Sequence, residues 1–88
     1  MEVKNECEKM LSKLEKIVKE VKVLDINALE LYNLALSYFQ DAKYFYDNKN
    51  YLKCFECLVI VWAYLDACLH FKFIEVPKEY LDYFTVNY

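Results

Sequence analysis

Residues 3–24 read VKNECEKMLSKLEKIVKEVKVL, and within them Val3, Cys7, Met10, Leu14, Ile17, Val21 and Leu24 recur at strict intervals of four and three. That spacing returns a side chain to one face of an α-helix at every turn, so it predicts a helix over about 2–24 with a dry stripe that Leu11 and Val18 widen. The opposite face carries Lys9, Lys13, Lys16 and Glu20, and Glu15 precedes Lys19 in the favourable order for a helix-surface ion pair. One side is built to pack and the other to face water.

Outward from this stretch, Leu24-Asp25-Ile26-Asn27 breaks the pattern, and Asp25 or Asn27 offers a side-chain oxygen to the free amides of a new helix over about 26–47. Its seam is Ala28, Tyr32, Ala35, Phe39, Ala42 and Tyr46, again at fours and threes. Asp47-Asn48-Lys49-Asn50 is a polar turn, with an Asn expected in the left-handed conformation where Gly is usual. A third helix over about 51–73 is apolar nearly all round from Cys54 to Leu69, the mark of a central element, with Glu56, Val59, Ala63, Asp66 and His70 as its mixed stripe. Pro77 stops it, and a short turn over 78–84 brings Tyr80, Leu81 and Phe84 back onto the body. These elements predict one all-α domain over 1–88, a three-helix antiparallel up-down bundle with a short C-terminal helical turn.

The composition agrees. With no Gly and one Pro, the chain lacks the residues that turn hairpins, which disfavours a sheet-rich fold. Hydrophobic residues make up 58% of a chain whose size allows burial of only about 60–65% of its surface, so apolar surface is left over for a partner. The net charge of -3 has the wrong sign for a general phosphate binder. All the basic residues are Lys, so no guanidinium fork is present for bidentate recognition, and a nucleic-acid role is disfavoured. No secretory head stands at the N-terminus, and the uncharged run Cys57–Leu65 is far short of the ~20 residues that cross a bilayer. The expected compartment is the cytoplasm, with no membrane role.

Three sets of side chains invite chemistry. Cys54 and Cys57 have the spacing of a zinc knuckle, but on one helix Cys57 and Cys68 lie about 16 Å apart, whereas ligands of one zinc sit within ~4 Å. Flanked by Phe55, Leu58 and Val59, the cysteines read as core, and no metal or other cofactor is implied. Asp66 and His70 stand one turn apart, the spacing at which a carboxylate orients an imidazole, and Glu56 shares their stripe. No nucleophile joins them, so a structural pair outweighs a hydrolase or metal-dependent enzyme, which stays as the alternative reading. Most of the aromatic residues fall on inward seams, while Tyr38, Phe45 and Tyr64 are expected to form a protein-binding patch.

The segments Ser37–Tyr46, Asn50-Tyr51, Cys54–Val59 and Trp62–Ala67 resemble an archaeal family of small uncharacterised proteins, domain of unknown function 357. The resemblance covers the second and third helices, reaches the first by pattern, and implies a three-helix bundle with no transferable site residues. Such proteins tend to carry Gly where this chain has Asn48-Lys49-Asn50. The same helical hairpin resembles one pair of a tetratricopeptide array, although a lone pair builds no solenoid. The expectation for function is an interaction or scaffold module that binds a protein partner or a second copy of itself, more a binder than an enzyme.

Overall fold

Three helices carry the chain, α1 (Val3–Glu20), α2 (Leu29–Asp47) and α3 (Tyr51–His70), in a computed structural model that describes residues 2–86. Their directions follow from the bonds between them. Tyr46 of α2 reaches Glu8 of α1, Lys43 reaches Glu15, and the Tyr32 hydroxyl donates to the Val18 carbonyl, so numbering rises along α1 as it falls along α2. The Cys7 thiol donates to the Tyr51 carbonyl where α3 begins, and Lys22 pairs with Glu75 beyond its end, so α1 and α3 run parallel. The result is an up-down-up all-α bundle with α3 packed against both other helices.

The core is drawn from all three seams: Cys7, Leu14 and Ile17 of α1, Tyr32, Ala35, Phe39 and Ala42 of α2, and Cys54, Leu58, Val61, Leu65, Cys68 and Leu69 of α3. Ala35 and Ala42 lie one turn either side of Phe39, so small residues leave room for the ring. Ile74 and Val76 close the far end.

The helix bounds depart from the expected ones where backbone bonds compete. α1 ends at Glu20, because Val21 turns extended (ψ 133) and Lys22–Val23 form strand β1, antiparallel to β2 (Ile74–Glu75). The β-branched Val21, Val23, Ile74 and Val76 favour an extended backbone there, and the Leu24 amide continues the ladder to the Phe73 carbonyl at 2.8 Å. Leu24, which the helical period placed inside, is consequently exposed. This two-residue pairing is the strand contact among the described residues of an otherwise helical fold.

A 3-10 turn (Ile26–Ala28) precedes α2, with Asp25 Oδ1 accepting from the Asn27 amide at 2.9 Å. Both later helix ends are Schellman turns. After α2 the Asn50 amide donates to the Phe45 carbonyl and the Lys49 amide to Tyr46; after α3 the Phe73 amide donates to Cys68 and the Lys72 amide to Leu69. The left-handed position therefore belongs to Lys49 and Lys72, each at φ 59, and not to an Asn. Asn48 and Asn50 act through their side chains, one on the Tyr44 carbonyl and the other as the cap of α3. The second Schellman turn ends α3 at His70, three residues short of the expected Phe73. After Pro77, a second 3-10 segment (Lys78–Tyr83) leads into a strap that lies along α3 as far as Val86.

Candidate functional site

The mixed stripe of α3 meets the C-terminal strap at Thr85. The Thr85 amide donates to Asp66 Oδ1 at 2.8 Å and its hydroxyl to Asp66 Oδ2 at 2.6 Å, so both carboxylate oxygens are taken up by one residue. His70 Nε2 stands 2.7 Å from the same hydroxyl oxygen. Because that hydroxyl gives its proton to Asp66, it accepts from His70, which fixes the imidazole proton on Nε2. His70 Nε2 is 3.8 Å from Asp66 Oδ2, so the carboxylate orients the ring chiefly through the hydroxyl between them. Glu56, the third residue of the enzyme reading, lies ten residues back on the same helix, about 15 Å along its axis. The arrangement is a clamp on a backbone segment, with Glu56 outside it.

The cysteines divide by burial. Cys7, Cys54 and Cys68 are buried and Cys57 is half-exposed. Cys54 lies beside Cys7 in the α1/α3 interface, and burial first, then the neighbouring Cys7 thiol, pushes the Cys54 thiol up to about 12. Cys57 is raised by burial first and then by the charges of Asp41 and Glu56. A thiol raised in this way gives up its proton less readily, which disfavours the thiolate that holds a metal, and among the described residues no three His, Cys, Asp or Glu side chains gather as a ligand set.

Tyr38, Phe45 and Tyr64 lie on the outer seam between α2 and α3, half-buried against the core. Tyr38 and Tyr64 meet with ring centroids 6.0 Å apart, and Lys53 reaches over Phe45 at 5.5 Å. The more exposed apolar side chains are others: Ile26 (81%), Phe71 (69%), Tyr44 (64%) and Leu52 (62%).

Sequence reasoning missed Tyr83 and Thr85. Trp62 of α3 contacts Phe84 at 5.2 Å and Tyr83 at 6.2 Å, and Lys13 of α1 sits over the Tyr83 ring at 4.8 Å. Hollows open on either side of Tyr83. One, of about 230 Å³, is bounded by Ala63, Asp66 and Thr85, and the other, of about 340 Å³, by Met10, Lys13 and Phe55; Trp62 lines both. Nearer Pro77, the Glu20 carboxylate beside Tyr80 pushes its hydroxyl up to about 12. The pattern Tyr83-Phe84-Thr85 has no helical period, so no periodic signal announced it.

A family described as "Protein of unknown function (DUF357)" matches residues 5–74. The chain belongs to that family. A crystal structure of another DUF357 protein, from Archaeoglobus fulgidus, superposes with a TM-score of 0.71 at 27% identity, covering 85% of this chain and 93% of that one. No curated protein matches the chain. In this DUF357 chain the bundle and Asp66, His70 and Trp62 lie within the family match, while Tyr83, Phe84 and Thr85 lie beyond it. Among the described residues, no helix is long and apolar enough to cross a membrane.

Proposed function

We propose that this DUF357 chain is a cytoplasmic protein-interaction module that uses the outer surfaces of α2 and α3 to bind a partner protein or a second copy of itself. The observation that carries this reading is where exposed apolar surface sits. Leu29, Leu34 and Tyr44 are exposed on α2, Leu52 and Val59 on α3, and Leu24, Ile26 and Phe71 at the turns flanking them. Among the described residues, Tyr83 of the strap is the other large apolar residue so exposed, and α1 contributes none. A bundle that hides its apolar stripe on one helix and leaves it open on two is shaped for contact on those two.

Light scattering over rising concentration, on the wild type and on a Leu52→Lys/Val59→Lys double variant, tests the self-association arm. Wild-type mass above that of a monomer, returned to monomer by the substitutions at unchanged thermal stability, supports it, whereas a strict monomer in both rejects it. The partner arm is tested by affinity capture from the native organism with both proteins as bait. Retention of the same set by wild type and variant would remove the Leu52/Val59 face of α3 as the contact surface.

A further inference from the structure

We propose that the groove between α1 and α3 is a docking site for an extended peptide segment carrying two adjacent aromatic residues followed by Thr or Ser, and that residues 78–86 fill it in cis as a displaceable strap. The inference rests on contacts separate from those of the α2/α3 surface, although Val59 and Asp66 share one stripe of α3.

The chemistry of the occupant is read from the strap itself. Asp66 takes an amide and a hydroxyl from one residue, a pairing that Thr or Ser supplies and Val or Ala does not. Trp62 receives the two rings just before it, Tyr83 and Phe84. Lys13 lies over the Tyr83 ring, a cation–π contact that an aliphatic side chain would forfeit. Three adjacent positions are thus recognised, each by a different physical interaction.

Three observations mark the strap as an occupant and not as part of the core. None of the side chains from Lys78 to Tyr83 is buried, and Phe84 is only half-buried. The hollows of about 230 and 340 Å³ beside Tyr83 leave the groove incompletely filled, so a bulkier segment buries more apolar surface than the strap does. The residues that form the groove, Met10, Lys13, Phe55, Trp62 and Asp66, all lie in the part of the chain that matches the family, and the strap lies outside it. The strap leaves the core at Val76, which is buried, and Pro77 continues from it with an extended backbone (ψ 146).

Displacement obeys a simple competition. A trans segment binds only the fraction of molecules whose strap is open, so weakening the strap raises the apparent trans affinity by the same factor. Thr85→Val removes both the hydroxyl donor to Asp66 and the acceptor for His70 while leaving every groove residue in place. Losing a hydrogen bond to a charged group corresponds to about a tenfold change in such an equilibrium.

The test uses the full chain and a labelled synthetic peptide of sequence 78–86. Trp62 is the sole tryptophan, so its fluorescence reports the groove directly. In Thr85→Val, Trp62 emission is expected to shift to the red with helical circular dichroism unchanged, and the peptide is expected to bind about tenfold more tightly than to wild type. A peptide with Tyr83 and Phe84 replaced by Ala is expected not to bind. No binding of the unaltered peptide to the variant, or equal binding of the Ala peptide, overturns the proposal. Should the variant lose its helices, hydrogen exchange on the wild type decides. Strap amides that open far more readily than those of α3 support the proposal, and amides that open only together with α3 overturn it.

Discussion

The Tyr46 hydroxyl of α2 donates to Glu8 Oε1 of α1 at 2.5 Å, one of a few polar links that hold these two helices in register. The bond raises the hydroxyl from its ordinary 10.0 to about 12, because ionising it would set a phenolate against a carboxylate. Glu20 at the end of α1 raises Tyr80 of the strap in the same direction, to about 12. A group whose pKa is higher folded than unfolded contributes stability that is complete below the unfolded value and lost as pH rises through the folded one. The Tyr46–Glu8 link is therefore intact below pH 10 and fails as pH climbs towards about 12. The denaturation midpoint is expected to fall across that window, and less steeply in Tyr46→Phe. A slope that the substitution leaves unchanged would remove the bond from the account.

The meeting of Cys7 and Cys54 inside the α1/α3 interface sets a thiol-reactivity pattern. Cys57 is half-exposed and is expected to be the one thiol of four that reacts with Ellman's reagent in the native state, more slowly than a free thiol because its pKa is raised. Cys7, Cys54 and Cys68 are expected to react only at the rate of opening. Two or more fast thiols in the folded chain would contradict the packing of α1 on α3.

Lys49 and Lys72 hold the left-handed positions of the two Schellman turns, at φ 59 each, where a Cβ is unfavourable by about 1–2 kcal/mol. Replacing each by Gly is expected to stabilise the fold by roughly 0.5–1 kcal/mol, the relief being partly offset by the greater freedom of Gly in the unfolded chain. The two turns lie at opposite ends of α3, about 30 Å apart by helical rise, so their effects should add. Urea denaturation of the single and double variants checks both sign and additivity.

How far the fold could be read in advance follows from what a period can encode. The seams Cys7-Leu14-Ile17 and Tyr32-Ala35-Phe39-Ala42 were legible because burial repeats with the helical turn, whereas α3, apolar nearly all round, showed that it was central but not that Cys54, Leu58, Val61, Leu65 and Cys68 form its buried face. The end of α1 was not, since Val21 and Leu24 satisfy the same period and only the distant Phe73 and Ile74 decide that the backbone turns extended. Lys49 was equally hidden, because a neighbouring Asn has the stronger left-handed preference and a Schellman turn is set by carbonyl positions instead. Asp66 and His70 were recognised as a pair, yet the residue that joins them, Thr85, is fifteen positions beyond His70 and outside any helical repeat. Contacts that come from chain return leave no local trace.

Phe39 offers the sharpest test of the core. It is among the largest fully buried side chains, at 1% exposure, and it is roofed by Lys43, whose ammonium sits 4.4 Å from the ring and pairs with Glu15 at 2.9 Å. Truncation to Ala between Ala35 and Ala42 leaves a void that two small neighbours cannot fill, so the loss belongs at the upper part of the roughly 3–5 kcal/mol range for such changes. A domain of 88 residues holds about 4–13 kcal/mol in all, so Phe39→Ala is expected to leave the bundle marginal or unfolded at room temperature. Leu52→Ala, by contrast, removes an exposed side chain and should stay within about 0.5 kcal/mol of wild type. Urea denaturation followed by circular dichroism separates the two, and a Phe39→Ala loss below about 1 kcal/mol would mean that α2 does not pack through this face.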